Sequence, residues 1–222
     1  FRKYLAKRNP SENDIYNDAL IRTGDCFYGM RDFDNSLSYY NDAISAKASS
    51  SDYAPYQKGV IQGLQGNMDA KAQTLSNLMS SYPRSKYRAD TIYESGKAYM
   101  SKGDETQAQA NFTQLLREFP GSQYAKKAQL NIGLIYYNNK QDDKAIEQLK
   151  KVISTYPGTP EATEALTSIK NIYVEDGKAE EYFAFVKNIP NASISIGAQD
   201  SITYQVAEQR YLKSNFEDAA KD

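Results

Sequence analysis

The stretch TIYESGKAYMSKGDETQAQANFTQLLREFP, residues 91–120, decides the architecture. Ile92, Gly96 and Tyr99 fall on one stripe at helical spacing, and Gly103 ends that run. Asp104-Glu105 then opens a second helix, whose apolar face is Ala108, Phe112, Leu115 and Leu116. Phe119-Pro120 closes it, because proline lacks the N–H that would continue the ladder and restricts the residue before it. The stretch predicts a helix, a glycine turn and a second helix, with no strand.

The same punctuation recurs along the chain. Tyr82-Pro83, Phe119-Pro120 and Tyr156-Pro157 lie 37 residues apart, as do Gly59, Gly96 and Gly133, and Ala108 and Ala145. Gly24 opens the glycine series in the first copy. Gly66 and Gly103 keep the spacing; Lys140 takes the next slot and Gly177 the one after. Agreement in several registers at once marks a repeat protein, in which each unit buries its apolar face against its neighbours.

The repeat registers assign packing roles. Gly96 and Gly133 are read as close-approach positions, with Ala108 and Ala145 as the small residues facing them. Tyr99, Tyr136 and Tyr173, with Phe27 in the first copy, are expected between the two helices of a pair. Tyr87 and Tyr124 are expected to staple one pair to the next. Gly66, Gly103 and Gly177 suit a turn in the left-handed region, so Lys140 in that slot predicts a strained or altered helix end. Ser122 and Thr159 are read as helix N-caps, Thr159 with Pro160 at the first helical position.

Composition narrows the function. Of 222 residues, 40% are hydrophobic and 25% charged, which supports a packed core. Lys and Arg number 27 against 28 Asp and Glu, a balance that argues against nucleic-acid binding. No run approaches the roughly 20 apolar residues of a membrane span. The chain has no histidine, which removes Ser-His-Asp and Cys-His catalysis and the commonest transition-metal ligand. The reading is a non-enzyme with no catalytic residues, no metal and no cofactor.

Isolated motifs do not alter it. Cys26, the single cysteine, excludes an internal disulfide and is read as a buried small hydrophobe. Gly59, Gly63 and Gly66 have no strand before them and no GK[ST] ending, so a phosphate-cradling loop is not expected. Asp142-Asp143 and Glu180-Glu181 are read as solvated helix starts rather than an acid–base pair. The sequons at Asn111 and Asn191 are assigned no function.

At these residues the chain resembles the tetratricopeptide repeat family. Ile92, Gly96, Tyr99, Gly103, Ala108, Phe112, Leu115 and Pro120 follow its pattern, with Leu115, Lys71 and Lys170 as departures where the family has alanine, alanine and glycine. The unit is longer than the family's usual length of about 34 residues. In this it is similar to the subgroup of bacterial envelope proteins that includes barrel-assembly lipoproteins of the outer membrane and the periplasmic Tol-Pal-associated protein. The resemblance implies an all-α, right-handed superhelix of about 11 helices. It also implies a non-enzymatic scaffold that binds a protein or peptide in a concave groove, in the periplasm or at the outer membrane, with the cytoplasm as the alternative.

Five two-helix units are expected at 11–50, 51–86, 87–123, 124–160 and 161–192, within one array covering 1–222. Residues 1–10 read as the end of a preceding unit and 193–222 as the start of a further, truncated one. Neither end carries a polar capping helix, which predicts a segment of a longer array with Leu5, Tyr211 and Phe216 exposed and end-to-end self-association of the segment.

In the family the first helices line the groove. By register these positions include Asp18, Ile21, Arg22, Asp25 and Tyr28, then Tyr53, Tyr56, Gln57 and Val60. The third and fourth copies add Asp90, Tyr93, Glu94, Lys97 and Met100, then Lys127, Leu130, Asn131, Leu134 and Tyr137. Tyrosine suits an interface, burying a large area with few rotors and keeping a polar tip. Binding through these tyrosines and plain surface both remain open. The family's carboxylate clamp is not matched, because Ile21, Asp25, Tyr56 and Val60 stand where lysine and asparagine would be needed. Two other readings are an RNA-binding array of about 35-residue units, whose basic groove is missing, and a regulatory or adaptor region of a longer enzyme or envelope assembly complex.

Overall fold

The computed structural model describes residues 1–7, 14–46, 52–190, 193–213 and 216–221. Its helices are α1 (Arg2–Leu5), α2 (Asp14–Gly29), α3 (Phe33–Ser45), α4 (Tyr53–Leu64), α5 (Met68–Ser81), α6 (Arg88–Ser101) and α7 (Glu105–Glu118). Then come α8 (Ala125–Asn138), α9 (Asp142–Thr155), α10 (Pro160–Glu175), α11 (Ala179–Lys187), α12 (Ile196–Leu212) and α13 (Phe216–Ala219). No strand occurs among the described residues. The chain is an all-α solenoid of successive helix pairs, α2–α3 to α10–α11. Among the described residues there are more helices than the eleven or so expected, because the terminal pieces α1 and α13 form four-residue helices of their own. Two compact units, Phe1–Ala128 and Gln129–Asp222, divide the chain within α8.

Local rules explain most helix ends. Gly66, Gly103 and Gly177 turn the chain with φ of 77°, 75° and 74°. Lys140 adopts the same left-handed conformation, φ 55°, despite its Cβ, and Gln141 after it provides no side-chain cap. By contrast Asn67 and Asp104 cap the helices after their glycines, accepting from the backbone N–H groups of Ala70 and Gln107. Arg31, φ 59°, fills the slot in the first pair, which the 37-residue spacing did not reveal because Gly24 and Gly59 are 35 apart.

Tyr82, Phe119 and Tyr156 leave the helical region just before their prolines. Thr159 caps α10 as expected, accepting from Ala162 N–H at 3.3 Å. Ser122 does not cap α8. The helix begins at Ala125, whose N–H meets the Ser122 backbone carbonyl at 3.0 Å, and the Ser122 hydroxyl has no partner among the described residues.

Close approach within a pair rests on a constant spacing that sequence reading had misassigned. A Cβ on Gly96 would lie 2.6 Å from the Phe112 ring, and one on Gly133 would lie 2.6 Å from Leu149. Gly59 meets Leu75 at 2.6 Å and Gly24 meets Tyr40 at 2.8 Å in the same way. In all four pairs the glycine is followed 16 residues later by the large side chain that covers it. Ala108 and Ala145 are fully buried but are not the residues nearest the glycines. In the fifth pair Lys170 stands in the glycine register and Val186 in that of the large residue. A lysine Cβ excludes the approach seen elsewhere. Phe27 stacks on Tyr39 at 5.5 Å and Tyr173 tilts against Tyr182 at 6.3 Å, so both span their pairs as expected.

In unit 1, Leu20, Tyr40, Ala43, Ala54 and Ile61 form one buried cluster, with Leu5 partly buried against it rather than exposed. Cys26 is exposed, contrary to the sequence reading. Two positions past Gly24 is a rotation of about 200°, which carries it away from the packed stripe. In unit 2, Leu149, Val152, Ala165, Ile169, Ile172 and Val206 belong to a mainly aliphatic core. Tyr211 and Phe216 are 62% and 57% exposed, as expected, and pack edge to face on one another.

Candidate functional site

The first helices of unit 1 carry a tyrosine ladder. Tyr87, just before α6, stacks on Tyr56 of α4 with ring centroids 5.0 Å apart. One repeat later Tyr124 stacks on Tyr93 of α6 at 4.6 Å. The two contacts are copies at the 37-residue spacing, and they tie each pair to the next, the stapling role expected of Tyr87 and Tyr124. Stacked aromatic pairs contribute about 0.5–1.5 kcal/mol beyond their buried area.

Carboxylates fix the polar ends. Asp25 of α2 accepts hydrogen bonds from Tyr40 at 2.7 Å and Tyr53 at 2.8 Å. Asp90 of α6 accepts from Tyr124 at 2.7 Å. Burial first, and then the bond to Asp25, pushes the Tyr53 phenol up to about 12; burial and then Asp90 do the same for Tyr124, also to about 12. Burial likewise raises Tyr56. These phenols stay protonated at neutral pH.

Beside the ladder lies an ion cluster. Lys71 of α5 reaches Glu94 of α6 at 2.5 Å, with side chains only 7% and 19% exposed, and Lys97 approaches the same carboxylate at 3.1 Å. Burial opposes the charge on Glu94, but hydrogen bonds from Lys71 and then Lys97 outweigh it and hold the carboxyl below its ordinary range. Lys71 replaces the small residue of its register, and Gly63 makes the room, since a Cβ there would come within 2.9 Å of Lys71 Cδ. The next copy has Met100 and Ala108 in those two registers, so large and small have exchanged. That exchange was legible in the repeat alignment and was missed.

The expected groove residues are not all in one unit. Tyr53, Tyr56, Gln57, Asp90, Tyr93, Glu94, Lys97 and Lys127 belong to unit 1, and Asn131 and Tyr137 to unit 2. Tyr93 is 8% exposed, packed on Phe112 and Tyr124, so it supports the face more than it presents itself. Lys97 and Lys127 are exposed, and the Lys97 ammonium lies 5.6 Å from the Tyr93 ring centroid. In unit 2, Tyr137 donates to Glu175 at 3.0 Å and Lys140 to the same carboxylate at 2.7 Å. Gly59 and Gly63 lie inside α4, so no phosphate loop forms there. Among the described residues no group of three or more His, Cys, Asp or Glu could hold a metal ion. No described helix is long and apolar enough to cross a membrane.

The succession of helix pairs matches known structures over nearly the whole chain. The crystal structure of MamA aligns with a TM-score of 0.64 at 19% identity, covering 90% of this chain and 95% of that one. YrrB, described as a tetratricopeptide-repeat protein with an unusual peptide-binding site, gives 0.63 at 14% identity over 95% of this chain and 97% of its own. The fold is that of a tetratricopeptide-repeat protein. PilF of Pseudomonas aeruginosa is another neighbour, at 0.59 and 13% identity, covering 90% of this chain and 87% of that one. Residues 88–170 match the YfiO family model, described as an outer membrane lipoprotein. No curated protein matches the chain in sequence. The matched segment contains both Tyr93–Tyr124 and the Gly96–Phe112 and Gly133–Leu149 contacts of this chain.

Proposed function

We propose that this protein is a non-enzymatic scaffold that binds a protein or peptide partner on the first-helix face of unit 1. One observation carries the reading. Tyr53 and Tyr56 are locked by stacking and by Asp25, and they lie on the same helical face as Gln57, beside a register that continues to Asp90, Glu94 and Lys97. A face ordered before binding loses little conformational entropy when a partner arrives. It offers aromatic surface together with both signs of charge, which suits a mixed polar and apolar segment rather than a nucleic acid.

The outer-membrane lipoprotein family match over residues 88–170 favours a place in the bacterial envelope. A photocrosslinking residue at Lys97 tests the reading in living cells. A discrete adduct from position 97, and none from the exposed second-helix position Arg117, is the expected outcome. Equal labelling at both positions, or no adduct at 97, overturns it.

A further inference from the structure

We infer that unit 2 carries a second docking site, on its second-helix side, for an amphipathic helix of a partner protein that bears an acidic residue. The second helices α3, α5, α7 and α9 run 13, 14, 14 and 14 residues, but α11 stops after nine. In the same pair Lys170 occupies the glycine register. The missing turn leaves an open groove of about 1140 Å³ between α9, the start of α10 and the end of α11. That exceeds the roughly 300–1,000 Å³ of small-molecule pockets, so a peptide segment is the fitting size of occupant.

The walls specify the chemistry. Ile153, Leu166, Phe185 and Ile189 line the groove and are only partly buried. Lys150 and Ser154 of α9 are four residues apart, as are Ala162 and Leu166 of α10, while Ile189 closes the groove just past the end of α11. Such i, i+4 ridges receive another helix by ridges-into-grooves packing. At the mouth stand two lysines against one glutamate. Lys151 is paired with Glu147 at 2.8 Å, while the Lys150 ammonium lies 4.8 Å from the Phe185 ring centroid. Lys150 is thus the cation placed to meet an acid on an incoming helix.

The site is separate from the face proposed above, and its test reads it alone. Helical peptides of about four turns, displayed on phage, are selected against the whole chain and their binding followed by fluorescence anisotropy. Enriched peptides should carry apolar residues at i and i+4 and one Asp or Glu. Lys150→Glu should weaken them several-fold, and replacing the peptide's acid by lysine should restore binding to that variant. Ile189→Ser should weaken them about tenfold, with the helical signal by circular dichroism unchanged. The inference falls if no helical peptide is enriched, if both variants bind as well as the parent, or if the peptides crosslink to position 97 in unit 1. A failed crosslink at position 97 with partner proteins leaves this site untouched.

Discussion

Unit 1 and unit 2 use the same helix-pair frame but join their pairs differently. In unit 1 Tyr56 with Tyr87, and Tyr93 with Tyr124, stack at successive copies. In unit 2 the next copy of those registers holds Leu130 and Glu161, and the surrounding core is mainly aliphatic. What persists in both is the glycine covered by a large residue, Gly96 by Phe112 and Gly133 by Leu149. The contact inside a pair defines the fold, because no side chain fits between helices that close. The contact between pairs is exchangeable, because several combinations fill the same space.

The sharpest way to break this comparison is at the shared contact. Gly96→Leu and Gly133→Leu should each destabilise by about 3 kcal/mol in denaturant melts, since even the added Cβ collides. Lys170→Gly should change stability by no more than about 1 kcal/mol, the ordinary helix cost of glycine. Equal effects at all three positions would show that the glycine register carries no special packing.

Next comes the ion cluster particular to unit 1. Lys71→Met should cost about 2 kcal/mol at neutral pH, because Glu94 keeps only Lys97 as a partner. Glu94 is depressed below 4.5 in the folded chain, so its contribution is present above the unfolded value and fades as pH falls through the folded one. The gap between parent and variant should therefore narrow below about pH 4.5. A gap independent of pH would mean that Lys71 acts through packing alone.

The staples should weigh less. Tyr124→Ala should cost about 2 kcal/mol, and Tyr124→Phe, which keeps the stack but loses the bond to Asp90, about 1 kcal/mol. Phenols raised on folding retain their protons longer than in the unfolded chain. Their stabilisation is complete below pH 10 and is lost as pH rises toward 12, so base unfolding in that window should shift in Tyr124→Phe. An unchanged base transition would remove the ladder from the account.

The smallest effect separates the two left-handed turns that lack glycine, Arg31 and Lys140. Arg31→Gly should stabilise unit 1 by about 0.5–1 kcal/mol through relief of positive φ. Lys140→Gly in unit 2 should gain less, because it gives up the Glu175 contact. Thermal melts that rank the two the other way would show that the surface ion pair counts for nothing.

Read from residues alone, the molecule already declares its all-α repeat. Gly103, Asp104, Phe119-Pro120 and their copies act on backbone a few residues away, and such local rules leave a mark at a fixed spacing. Lys140 as an altered turn and Tyr87 and Tyr124 as staples were legible for the same reason. Which side chain covers a glycine was not, and Phe112 rather than Ala108 lies over Gly96 because helix separation and rotation set that contact. Cys26 was placed on the wrong face, and the buried reach of Lys71 to Glu94 was missed, for want of that geometry. The groove beside the short α11 likewise exists only once three helices are assembled. Repetition writes the backbone plan into the sequence, whereas contacts across helices depend on distances that only the packed structure sets.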